Sequence, residues 1–113
     1  MEISKGRRMP NPRQGQACPL FSLGRIYATP GALKLLNRHQ QTATTLLARH
    51  ARGDWGLVPP EDVAANDQAV RDGFRILSSY AVGTTTTAGR PEVIWVITEA
   101  DRSITTLLLP KAY

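Results

Sequence analysis

The chain has 113 residues, 42% of them hydrophobic and 20% charged, with a formal net charge of +5 and a pI near 10. That is one domain's worth of chain. It has no apolar run approaching the ~20 residues that span a bilayer, and no apolar segment after the basic N-terminus of the kind a secretory signal carries, so a cytoplasmic protein without a membrane partner is expected.

Residues 1–19 hold Lys5, Arg7, Arg8 and Arg13 against Glu2 alone, with prolines and no apolar period. They are expected to form a basic, disordered arm ahead of a single α+β domain over residues 20–113. Leu20–Ala28 alternates as a first strand, and Gly24 within it signals a bulge or a close backbone neighbour. Thr29-Pro30 is a helix start, with Thr29 as N-cap and Pro30 at the first helical position. The apolar stripe that follows predicts one helix to about Ala51, closed by Gly53. Pro60-Glu61-Asp62 opens a second helix, which Gly73 ends near Asp72. Asn66 lies on its apolar face and is expected to tie a backbone group of the preceding loop.

Phe74–Val82 alternates as a strand, and Gly83–Pro91 reads as a long Thr/Gly loop. Glu92–Thr98 is apolar on both faces, as a central strand requires. Glu99–Arg102 is a polar turn, and Ser103–Leu109 is the last strand, stopped by Pro110. The predicted fold is α+β: a four-stranded antiparallel sheet with two helices packed on one face, in the order β-α-α-β-β-β.

His50-Ala51-Arg52-Gly53-Asp54-Trp55-Gly56 concentrates unusual side chains at the junction of the two helices. As chemistry, His50 is a candidate general base, with Arg52, Arg75 and Arg102 as phosphate-binding groups, the set a ribonuclease needs. As structure, Trp55 plugs the space between helices and sheet, Asp54 pairs with Arg52 or caps backbone N–H groups, and His50 meets the helix dipole. The turn Thr98–Ser103 holds two carboxylates and an arginine that could bind a metal or shape an acid/base pair, or that serve a plain hairpin turn with Asp101 as a local acceptor and Arg102 paired with Glu99 or Asp101. His39 reads as an exposed helix residue. Arg52, Trp55, Asp101 and Arg102, with the arm cations Lys5, Arg7, Arg8 and Arg13, are the candidate binding residues. Cys18 stands alone, which excludes an internal disulfide. One cysteine and two histidines argue against a zinc site. No phosphate loop, dinucleotide fingerprint, HExxH, GxSxG or CxxC occurs, and no metal or cofactor is expected.

Four blocks carry a family resemblance: GRIYATPGAL at 24–33, LLARHARGDWG at 46–56, EDVAANDQAVRDGFRILSSY at 61–80 and IWVITEADRSITTLLLP at 94–110. Together they resemble a family of small plasmid-related proteins carried on plasmids and integrative conjugative elements of bacteria. The resemblance spans about Phe21 to Tyr113 and leaves out the basic arm. It implies a genomic context and brings no catalytic residues with it. The family's typical acidic ending, PEEY, is here Pro110-Lys111-Ala112-Tyr113.

These features make a non-enzymatic interaction protein of a mobile element the first expectation, binding a host or element-encoded protein in defence evasion or maintenance. A ribonuclease toxin of the barnase or RelE kind, using His50 and the arginines, is the first alternative. A nucleic-acid binder working through the basic arm is the second. An apolar open sheet face would admit a homodimer or another partner, with Tyr27, Tyr80 and Trp95 as its markers.

Overall fold

The computed structural model describes residues 19–84 and 91–113. The basic arm through Cys18 and residues 85–90 of the predicted loop lie outside the described residues. Four strands and three α-helices follow in the order β1 (Arg25–Ala28), α1 (Pro30–Arg38), α2 (Ala43–Ala51), α3 (Pro60–Asp72), β2 (Ile76–Thr84), β3 (Pro91–Thr98) and β4 (Ile104–Leu108). A short 3-10 turn at Pro110–Ala112 closes the chain.

Two expectations are corrected. The single helix expected over 30–51 is two helices, because Gln40 takes a left-handed conformation and Thr42 starts a new helix by accepting from the Thr45 N–H. Thr42 therefore acts as an N-cap, the role its short hydroxyl side chain favours over a helix interior. Thr29 caps α1 as expected, accepting from the Ala32 N–H. The sheet is mixed, not purely antiparallel: its order is β1-β4-β3-β2, with β1 parallel to β4 and the other two pairs antiparallel. The cause is parity. The three helices form a crossover layer that returns the chain to the end of the sheet where β1 began, so β2 starts in the same direction as β1. The β2-β3-β4 meander then reverses twice and brings β4 into the gap beside β1, running the same way.

β1 is shorter than the segment that alternates. Residues before Gly24 leave the sheet, and Gly24 sits at φ +66°, where an added Cβ would collide with the Ser103 carbonyl. That is the close backbone neighbour its position signalled. Helices of nine residues are marginal alone, so packing holds α1 and α2 in place. Ala32, Leu35, Leu36 and Leu46 bury their stripe against Tyr80, Ile94, Val96 and Leu107 of the sheet. Each leucine-sized side chain so buried contributes ~1.5–3 kcal/mol. A second cluster joins Phe21, Trp55, Ala69 and Ile76 under α3.

The outer edge of β2 is sealed by side chain and loop. Asn66 of α3 donates to the Leu77 carbonyl at 2.7 Å and accepts from the Leu77 N–H at 3.3 Å. Beside it, Leu57 N–H donates to the Ser79 carbonyl and Ser79 N–H donates to the Trp55 carbonyl. Asn66 thus serves the strand that follows α3, where the loop before it was expected. Gly56 sits at φ +76° in this seal, and a Cβ there would meet the Ser79 carbonyl oxygen.

Asn66→Ala leaves both Leu77 backbone groups unpaired in a half-buried site and is expected to destabilise the fold by about 1–3 kcal/mol, seen as a lower urea midpoint. Gly56→Ala is expected to cost at least about 2 kcal/mol by the same measurement, since it adds a clash to an unfavourable φ.

Candidate functional site

His50 comes from the last turn of α2, and its side chain enters the space between the helices and the sheet. It has 0% solvent exposure. Phe21 stands edge-on to its ring at a centroid distance of 5.2 Å, and Trp55 at 5.9 Å. Nδ1 lies 2.6 Å from the Ser78 hydroxyl, and Nε2 lies 2.9 Å from the Thr98 hydroxyl. Thr98 Oγ1 is 2.7 Å from Thr105 Oγ1, and Thr105 donates to the Leu23 carbonyl at 2.7 Å.

The polarity of this chain follows from its far end. A carbonyl only accepts, so Thr105 spends its proton on Leu23 and must accept from Thr98. Thr98 then accepts from His50, which places the imidazole proton on Nε2. Nδ1 is left as an acceptor for Ser78. The relay is complete with a neutral ring, and burial, seconded by the nearby Arg102 charge, pushes the His50 pKa down to about 4.

Asp54 accepts from the Gly56 N–H at 3.2 Å, one of the two roles expected of it, and its ion pair is with Arg49 in place of Arg52: Nε to Oδ2 is 2.7 Å. Asp54 lies two residues past the α2 C-cap, where Arg49, one turn back, is the arginine in reach. The Arg49 hydrogen bond is the main cause of a lowered Asp54 pKa. The Arg49 guanidinium also covers the Tyr80 ring at 4.4 Å, and the Tyr80 hydroxyl donates to the Asp54 carbonyl at 2.6 Å. Burial raises the Tyr80 pKa to about 12. Trp55 is buried, and its indole N–H donates to Asp67 at 3.0 Å. The His50–Gly56 segment is therefore a clasp joining α2, α3 and β2.

Arg102 forms neither of the expected pairs with Glu99 or Asp101 side chains. At φ +63° it turns its guanidinium inward and donates to the carbonyls of Phe74 at 2.7 Å, Ala69 at 2.8 Å and Glu99 at 3.2 Å. It thereby satisfies a carbonyl at the end of α3. Asp101 accepts from the N–H and hydroxyl of Ser103, an ordinary turn contact that lowers its pKa. Arg52 is exposed at the C-cap of α2. Arg75 lies on the other side of the sheet, its guanidinium 5.5 Å from the Tyr113 ring centroid. His50, Arg52, Arg75 and Arg102 do not meet on one face: the first is enclosed beneath the helices, and Arg75 projects from the opposite side. The candidates Lys5, Arg7, Arg8 and Arg13 lie outside the described residues.

One feature escapes sequence reasoning. His39 is not an exposed helix residue. It is the C-cap of α1, half-buried, and its Nε2 lies 2.8 Å from Glu92, which also meets Arg38 at 3.3 Å. The lack of a side chain at Gly83, beside the bulge in β2, gives the imidazole its seat. A groove of about 840 Å³ adjoins this pair, lined by α1, the start of β3 and the final turn, and includes Arg38, Glu92 and Lys111.

The sheet face away from the helices, for which the sequence offered Tyr27, Tyr80 and Trp95 as markers, is covered by no described helix. Tyr27, Thr106, Ile97 and Leu77 form one row across it, and Leu108 and Trp95 are neighbours in the next. Tyr113 folds back over this face, its ring 5.6 Å from Trp95. Tyr80 is not on it; that residue is buried on the helix side.

Among the described residues, no cluster of three or more His, Cys, Asp or Glu side chains stands ready to hold a metal, and no helix is long and apolar enough to cross a membrane. No family model, curated protein or solved structure matches the chain.

His50 is ordinary in the unfolded chain, near 6.5, and depressed in the fold. Its contribution is thus fully present above about pH 6.5 and lost as pH falls toward 4, because the unfolded state takes up the proton first. The loss should approach about 3 kcal/mol. Urea unfolding at pH 7 and pH 4.5 measures it, and a His50→Gln chain should lose most of this pH dependence.

Proposed function

We propose that this chain is a non-enzymatic interaction protein of a mobile genetic element, which acts by holding a partner on its open sheet face. One observation carries the proposal: every group of the His50 relay is consumed by the fold. His50 has both ring nitrogens bonded and no solvent contact, so it neither reaches a substrate nor exchanges a proton with one near neutral pH. Arg102 is spent on main-chain carbonyls and Asp54 on Arg49. The open face, by contrast, presents Tyr27, Trp95 and Tyr113 with Arg25 and Arg75, residue types that dominate binding surfaces. The mobile-element context is supported by the sequence resemblance alone. A host or element-encoded protein is the first partner expected from the sequence, and nucleic acid, through the basic arm, the second.

Incubation of the purified chain with RNA, with and without divalent cations, should leave the RNA intact. Cleavage that disappears in His50→Gln while the fold persists would falsify this reading in favour of the ribonuclease. Affinity capture from the host, retaining both protein and nucleic acid, should recover a partner that a Trp95→Asp chain no longer holds.

A further inference from the structure

We propose that the open sheet face binds single-stranded nucleic acid, with bases stacking on Tyr113, Trp95 and Tyr27 and phosphates meeting Arg75, Arg25 and Lys111. The proposal rests on the binding reading above and names the partner's chemistry.

The first argument is what a partner would touch. Ile97 and Leu108 point to the open side, yet they are only 3% and 7% exposed. The aliphatic floor is already covered. Above it stand Tyr113 at 62% and Tyr27 at 49% exposure, with Trp95 half-buried beside Tyr113. A nucleobase needs only a ring to stack on, and every base has such a face.

The second argument is spacing. Cations alternate with the rings. Arg75 lies over Tyr113, Tyr113 meets Trp95, Lys111 precedes Tyr113 by two residues, and Arg25 shares a face of β1 with Tyr27. Lys111 also lines the groove beside the start of β3, where Arg38 is engaged by Glu92. A strand that alternates flat bases with charged phosphates fits such an order.

The third argument is where the acids are. Glu61, Asp62, Asp67 and Asp72 all lie on α3, in the layer on the far side of the sheet. Glu92 is held by Arg38 and His39 and Asp54 by Arg49, and Glu99 and Asp101 sit in the turn between β3 and β4. The strand residues pointing to the open side include no carboxylate. A polyanion is attracted to that side and repelled from the α3 side. The same distribution disfavours a second copy packed face to face, which would bring Arg25 and Arg75 of both copies onto one surface.

The test is fluorescence anisotropy with the whole chain and labelled oligo(dT) and oligo(U) of about 12 nucleotides, against a duplex of equal length. Single strands should bind more tightly than duplex, with quenching of tryptophan fluorescence. Tyr113→Ala and Arg75→Glu should each weaken binding about fivefold or more, while Tyr113→Phe and Lys34→Glu on the helical layer leave it within about twofold. Both target side chains are exposed, and thermal melts confirm that the variants fold. Replacing Lys5, Arg7, Arg8 and Arg13 by Gln should flatten the salt dependence yet preserve the single-strand preference and the Tyr113 effect. Equal binding of duplex, or affinity unchanged in Tyr113→Ala and Arg75→Glu, overturns the proposal. Absence of oligonucleotide binding overturns it as well, and returns the face to a protein partner. Scission of the oligonucleotide in the same tubes would instead overturn the binding-only reading, whatever the affinities.

Discussion

A neutral histidine sealed between the helices and the sheet is the constraint on which the rest of this structure depends. His50 links α2 to β2 through Ser78 and to β3 through Thr98, and the relay continues through Thr105 of β4 to the Leu23 carbonyl ahead of β1. Four hydrogen bonds thus connect the helical layer to every part of the sheet. Each has one permitted direction, because the terminal carbonyl offers no proton. A buried network of this kind is stable only when complete. It also defines the packing: Phe21 and Trp55 close over the ring, and Arg102 turns inward beneath them.

The same economy explains the distribution of polar side chains. Asn66 seals one edge of the sheet, and Arg102 satisfies carbonyls at the end of α3. Asp54 and Arg49 hold the clasp against Tyr80. In each case a residue that resembles a functional group on paper completes a backbone accounting problem. Tyr27, Trp95 and Tyr113, with Arg25 and Arg75, lie elsewhere, on the side of the sheet that no described helix covers. An interior occupied in this way is the reason binding on the open face is proposed, and not chemistry in the loop.

Much of the fold was legible in the chain. The caps at Thr29 and Gly73, the start at Pro60, the central strand over 92–98 and the terminal meander all follow from local rules of capping, period and turn chemistry. The break between α1 and α2 was written in Thr42, but a continuous leucine stripe hid it, since an apolar period passes through a short interruption without losing phase. The candidate site was less legible. His50, Arg52, Arg75 and Arg102 share chemical types and nothing in their spacing reveals their faces. Arg75 sits just ahead of β2, and its side is shown only by its contact with Tyr113.

The sequence by itself determined the class of structure, α+β with four strands, and many of the element ends, because helix caps, strand alternation and turn residues act over a few positions. Only the tertiary structure decided that β1 runs parallel to β4, that His50 is locked and neutral, and that Trp95 and Tyr113 meet on an uncovered face. Those outcomes depend on how a helical crossover returns the chain, and on which hydroxyls and rings then fall opposite one another. Such contacts join residues as far apart as Leu23 and Thr105, and no local pattern records them.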